Sequence, residues 1–189
     1  MNFIICGMEN IGKDVMCIMF RDNGKCGVKD LSGIVLVPAI FDDVRFVFEE
    51  RFKEWPVPVL QNGKFGLAAT DGSGRLILEC KYDYIAYKDG YYLIHQGNEK
   101  GIYAGNNLFF PIDFKRISRI KPYELLVYEN DSYRYGFVFP SISLITEALY
   151  EHFIVRDGEL VKVYLNGDCG YLNKELKFTK DVKEAYLCF

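Results

Sequence analysis

The stretch Asn62-Gly63-Lys64-Phe65-Gly66 decides the reading of this chain. An apolar run precedes it, and a second run follows with a turn and then an aromatic-acid pair. The same corner returns as Asn23-Gly24-Lys25-Cys26-Gly27, Gly97-Asn98-Glu99-Lys100-Gly101, Ser132-Tyr133-Arg134-Tyr135-Gly136 and Asn166-Gly167-Asp168-Cys169-Gly170. Its closing glycines, Gly27, Gly66, Gly101, Gly136 and Gly170, lie 39, 35, 35 and 34 residues apart. Such a period marks arrays, solenoids and propellers.

Around each corner the pattern is that of strands. An Asn-Gly pair favours a hairpin, because both residues tolerate positive φ. Residues 14–21 and 56–60 lead into such turns. Residues 34–38 run apolar to a proline, which suits a strand end because it cannot donate to a ladder. Units three and four repeat the order through 91–94 and 124–128. Residues 141–153 carry Ile142, Ile145, Leu149 and Phe153 at helical spacing, but their place in the repeat predicts strand and turn, with room for a helical turn. Residues 160–172 open a fifth unit that runs into the charged stretch 174–183, as a truncated cap would. The expectation is one all-β domain over 1–189, made of tandem hairpin repeats of about 35 residues. These stack as a curved or twisted array or, alternatively, close as a small propeller-like ring.

The slots have physical reasons. An aromatic before the corner glycine, as at Phe65 and Tyr135, buries a large area against the next unit. The glycine lets a ring or the adjacent backbone pack closely, or takes a bulge. Asp42, Asp83 and Glu151 follow Phe41, Tyr82 and Tyr150, where a carboxylate accepts backbone N–H bonds in a tight turn. Unit three has Lys115 there and must satisfy its turn differently. An acid recurring once per repeat reads as structural, since a reaction does not need one in every unit.

Composition narrows the function classes. Half of the 189 residues are apolar and 16% aromatic, which excludes a disordered chain. Net charge is −3 and the basic residues are scattered, so nucleic acid is not the expected partner. The start has no basic leader, and no apolar run of about 20 residues occurs, so the chain reads as cytoplasmic and not membrane-bound. Six cysteines form no CxxC pair and read as buried thiols, Cys26 and Cys169 filling the aromatic slot. His95 and His152 occupy different slots and suggest no metal site. No phosphate loop or serine elbow is present, and Asp71-Gly72-Ser73-Gly74 lacks the further oxygen ligands of a calcium loop. No cofactor, metal or catalytic residue is expected.

Taken together, the slots resemble the bacterial WG-repeat family. The likeness rests on Asn62-Gly63-Lys64-Phe65-Gly66, Asp71-Gly72, Ile77-Leu78 and Tyr82-Asp83-Tyr84-Ile85. It rests again on Gly24-Lys25-Cys26-Gly27, Gly33, Val37-Pro38 and Phe41-Asp42-Asp43-Val44, and it covers roughly residues 14–173. The family's tryptophan is absent from every copy, where Cys26, Phe65, Lys100, Tyr135 and Cys169 stand, and Trp55 is outside that slot. The resemblance implies an all-β repeat that binds other proteins and supplies no catalytic residues. A non-enzymatic protein-binding or scaffold module is therefore expected. The alternatives are an immunity protein that inhibits a bacterial toxin, a carbohydrate or cell-surface binder using exposed aromatics such as Tyr91-Tyr92 and Tyr133-Tyr135, or, last, a hydrolase, which would need carboxylates from different repeats converging in a solvent-filled cleft. Exposed edge strands would also permit self-association.

Overall fold

The computed structural model describes residues 17–45, 56–120, 125–155, 161–173, 175–183 and 185. Trp55, Cys6, Cys188 and the irregular connection at 47–54 lie outside them. The fold is all-β, with five small antiparallel sheets. The first holds β1 (Cys17–Asp22), β2 (Lys25–Asp30) and β3 (Val35–Phe41). The second holds β4 (Asp43–Val44), β5 (Val57–Gln61), β6 (Lys64–Ala68) and β7 (Leu76–Tyr82). In the third are β8 (Tyr84–Lys88), β9 (Tyr91–Gln96), β10 (Glu99–Ala104) and β11 (Asn107–Phe109). The fourth consists of β12 (Arg116–Ile120), β13 (Leu125–Glu129), β14 (Tyr135–Phe139) and β15 (Leu144–Ile145). The last comprises β16 (His152–Ile154), β17 (Lys162–Leu165), β18 (Asp168–Leu172) and β19 (Phe178–Thr179). Strands are neighbours in chain order in every sheet, and no sheet closes into a propeller.

The residues group into two compact units, Met1–Tyr87 with Ile94–Asn98, and Lys88–Leu93 with Glu99–Phe189. The sequence points to one domain; this division falls inside its third repeat.

Local chemistry explains the hairpins. Asn23-Gly24, Asn62-Gly63 and Asn166-Gly167 all have positive φ, from 49° to 80°, the conformation a two-residue hairpin turn demands. The corner glycines serve a different need. Gly66 is buried with ordinary φ, and a Cβ there would stand 2.6 Å from Leu78 O and 2.7 Å from Cys80 Sγ. Opposite it, the register slips between Phe65↔Tyr82 and Leu67↔Leu78, the signature of a bulge in β7. Gly27 faces a matching slip in β3, with Val37 O at 2.6 Å. Gly101, Gly136 and Gly170 are buried under Phe110, Tyr128 and Phe178 respectively. Close approach is thus the shared reason for glycine.

The residue before that glycine is less uniform than expected. Cys26 and Phe65 are buried and Tyr135 half-buried, but Lys100 and Cys169 are exposed. Cys169 therefore does not fit the buried-thiol reading, which Cys26 does. The aromatic that is buried in every copy stands before the joint residue instead: Phe41, Tyr82, Phe114 and Tyr150.

In the second unit, consecutive sheets share cores. Leu126 and Tyr128 of β13 pack with Tyr91, Ile102, Phe114 and Val138. Leu125 and Val127, on the opposite face of the same strand, pack with Phe137, Tyr150, Val163 and Leu172. A strand buried on both faces reads as a continuous apolar run and does not alternate.

Of the two ambiguous stretches, the first follows the expected strand and turn with a helical turn, and the second adds a strand. Residues 141–153 form a 3-10 turn at Pro140–Ile142, then β15, a single bridge at Tyr150 and the start of β16. Within the charged stretch 174–183, Phe178 and Thr179 pair with Leu172 and Tyr171, giving the fifth sheet a fourth, two-residue strand. No helix among the described residues is long and apolar enough to cross a membrane.

Candidate functional site

The recurring acids are brought into equivalent positions. Each directly precedes the first strand of the next sheet, and each ties two successive hairpins together. Asp42 accepts Lys25 Nζ at 2.6 Å from the hairpin behind it and Asn62 N–H at 2.7 Å from the hairpin ahead. Asp83 accepts Lys64 Nζ and, at 2.7 Å, Gly97 N–H. Glu151 accepts Arg134 Nη1 at 2.9 Å and Gly167 N–H at 3.2 Å. The carboxylates do accept backbone N–H groups, but from the next repeat's hairpin and not from their own turn. Sequence reading missed the cation two residues before the corner glycine as the acid's second partner. The signal was present in the alignment of Lys25, Lys64 and Arg134.

The third joint lacks this tie. Glu99 holds the cation slot and Lys115 the acid slot. Lys115 Nζ reaches Tyr133 Oη at 3.2 Å and lies 4.2 Å from that ring's centroid. The hairpin it would have held closes on itself, Asn130 Oδ1 accepting both Ser132 N–H and Arg134 N–H at 3.0 Å.

The cations and N–H donors stabilise the charged form of each acid. Lys25 holds the Asp42 carboxyl below its ordinary 3.8, Lys64 does so for Asp83, and Arg134 lowers Glu151 from 4.5. Folded-state values below unfolded ones mean that the unfolded chain binds more protons as acid is added. The ties therefore contribute stability above the ordinary carboxylate range and lose it as pH falls through the depressed values. Because Asp83 and Glu151 are exposed and Asp42 is only half-buried, the effect is modest. Urea midpoints from about pH 6 to about pH 3 test this. The Asp42→Asn/Asp83→Asn/Glu151→Gln variant should start lower and decline less steeply in acid. Parallel curves would remove the ties as a cause.

Each of these acids is a tie between successive hairpins. No group of three or more His, Cys, Asp or Glu residues capable of holding a metal occurs among the described residues. His95 rests edge-on to Tyr84, and His152 lies beside Phe153 and Tyr164. Tyr91 and Tyr92 are fully buried, which removes them from any exposed aromatic face, whereas Tyr133 is 64% exposed.

Two surface features remain. In the first unit, Leu31, Ile34, Val35 and Ile40 are 59, 61, 42 and 47% exposed, on the turn after β2 and on β3. β3 is at the end of its sheet, and Gly72 N–H donates to Leu36 O at 2.9 Å, capping part of its outer edge. In the second unit, a groove of about 330 Å³ is lined by Pro111, Ile112, Asp113, Tyr128, Asn130 and residues 145–148. Tyr128 Oη donates to Thr146 O, and Thr146 Oγ1 accepts Phe137 N–H at 2.8 Å, which fixes the groove wall to β14. Burial, followed by the carboxylates of Glu147 and Asp113, pushes the Tyr128 hydroxyl up to about 12. It stays a neutral donor at any physiological pH.

No protein-family model matches the sequence, and no curated protein is similar to it. Among solved structures, the crystal structure of the computationally designed Ika8 protein is similar at a TM-score of 0.34 and 12% identity. That alignment covers 93% of this chain and 62% of the designed one, so the chain spans less than two thirds of its length.

Proposed function

We propose that the chain is a non-enzymatic protein-binding or scaffold module, built from WG-like repeats that stack as a curved array. The observation that carries this reading is the set of exposed apolar side chains at Leu31, Ile34, Val35 and Ile40. Single exposed apolar residues are ordinary, but four on one turn and its outgoing strand mark a surface that gains by being covered. The capped edge of β3 means that a partner meets side chains here more than open backbone. Stacking is supported by β13, which lends one face to each of two successive cores.

The test compares the chain with its Leu31→Glu/Ile34→Glu variant as immobilised bait in cell extract. Both substitutions are at exposed positions, so the thermal midpoints should agree. A protein retained by the unchanged chain and lost from the variant supports the reading. Identical retention by both baits, or none by either, rejects it.

A further inference from the structure

The groove beside Tyr128 lies in the second unit, whereas the apolar surface on β3 belongs to the first. Part of its lining is apolar, with Ile112 buried and Ala148 half-buried. Its polar groups are unevenly matched. Tyr128, Thr146 and Asn130 are engaged with the protein's own backbone. The carboxylates of Asp113 and Glu147, by contrast, take no hydrogen bond or ion pair among the described residues, and both act on the Tyr128 oxygen from the same groove. The three joint acids each have a cation. These two line a partly apolar groove and have none among the described residues.

The segment that forms one wall has a regular presentation. Ile145, Glu147 and Leu149 are exposed, while Leu144, Thr146 and Ala148 are half-buried and Tyr150 is buried. An apolar, an acidic and an apolar side chain therefore project outward in succession. Ile145 is 43% and Leu149 50% exposed. The complement to this face is a basic side chain flanked by apolar ones.

We propose that the groove is a docking site for a peptide segment of a partner protein that carries an arginine or lysine between apolar residues. The basic head would lie between Asp113 and Glu147 and its alkyl stem along Ile112 and Ala148, as long cationic side chains do on apolar surface. The flanking residues would cover Ile145 and Leu149. A small free cation could use only the carboxylates and would stay mostly hydrated in so open a groove. The apolar shoulders are what favour a peptide.

The experiment titrates the full chain, isotopically labelled, with acetyl-Leu-Arg-Leu-amide and follows amide resonances by NMR. Saturable shifts are expected at Ile112, Asn130 and Glu147. The citrulline peptide, which keeps the shape and lacks the charge, should bind about tenfold more weakly. So should the arginine peptide to the Asp113→Asn/Glu147→Gln variant, whose unchanged spectrum elsewhere shows that it is folded. The absence of saturable shifts overturns the proposal, as does equal binding of the citrulline peptide or shifts centred away from the groove. Free arginine amide binding as tightly as the peptide would also overturn it, since that result assigns the groove to a small cation. None of these outcomes depends on the apolar surface of β3, so this proposal and the scaffold reading can fail separately.

Discussion

Gly66→Ala is expected to destabilise the first unit by about 3 kcal/mol, a large effect for one methyl group. The added Cβ would meet Leu78 O at 2.6 Å, Cys80 Sγ at 2.7 Å and Cys80 N at 3.0 Å. Two of the three are backbone atoms of β7, held in register by Phe65↔Tyr82 on one side and Leu67↔Leu78 on the other. Relief requires the bulge to move, and the bulge is what allows buried Tyr82 to come into position before Asp83. Gly63→Ala, three residues away, isolates the other way in which glycine matters. Nothing lies within 4 Å of its Cβ position, but φ is +74°, so the cost is backbone strain of about 1 kcal/mol. Urea unfolding at constant m-value measures both. If the two variants lose equal stability, close approach is not what fixes glycine at the corner.

The second large effect is expected in the other unit. Phe137 is fully buried directly after the corner glycine Gly136. Its ring centroid lies 5.6 Å from those of both Tyr150 and Phe153, at angles of 60° and 88°. It fills the core between the fourth and fifth sheets, together with Leu125, Val163 and Leu172. Phe137→Ala should cost about 4 kcal/mol, the loss of the ring's burial plus an unfilled space that strands on both sides cannot close. Phe137→Leu keeps most of the volume and should cost about 1.5 kcal/mol. Denaturant titration of both variants gives the test. A loss below about 1 kcal/mol for the alanine variant would mean that the shared core between successive sheets is not what holds them.

Much of this architecture was legible because it is written in short-range chemistry. The Asn-Gly pairs announce hairpins, since few other residues accept positive φ twice in succession. The five corner glycines are each set by a close contact that leaves no room for a Cβ. Less was legible where a residue's partner lies in another repeat. Asp83 was recognisable as a turn acid, yet its partners Lys64 and Gly97 lie 19 residues before it and 14 after, distances at which sequence pattern says nothing of direction. The exposed Cys169 was misread because its slot is buried at Cys26 and Phe65; one side of the repeat faces a neighbour in some copies and solvent in others. The groove was the least visible. Its wall, residues 145–148, belongs to the stretch whose spacing looked helical, and only the alternating exposure of 145, 147 and 149 reveals a face presented outward.

The cross-tied joints constrain how such a chain can drift. Because Asp42, Asp83 and Glu151 each answer to two hairpins at once, a change in one repeat alters the fitness of a change in its neighbour. Hairpins linked in this way are expected to tolerate a paired change better than a single one. The third joint is built differently. There Lys115 stands in the acid slot and Glu99 in the cation slot, Lys100 Nζ donates to Phe114 O, and Asn130 closes the following hairpin. That joint is held without a carboxylate, by Lys100 Nζ on Phe114 O from the hairpin behind and Lys115 Nζ on Tyr133 Oη from the hairpin ahead, so a change of charge there breaks no acid tie.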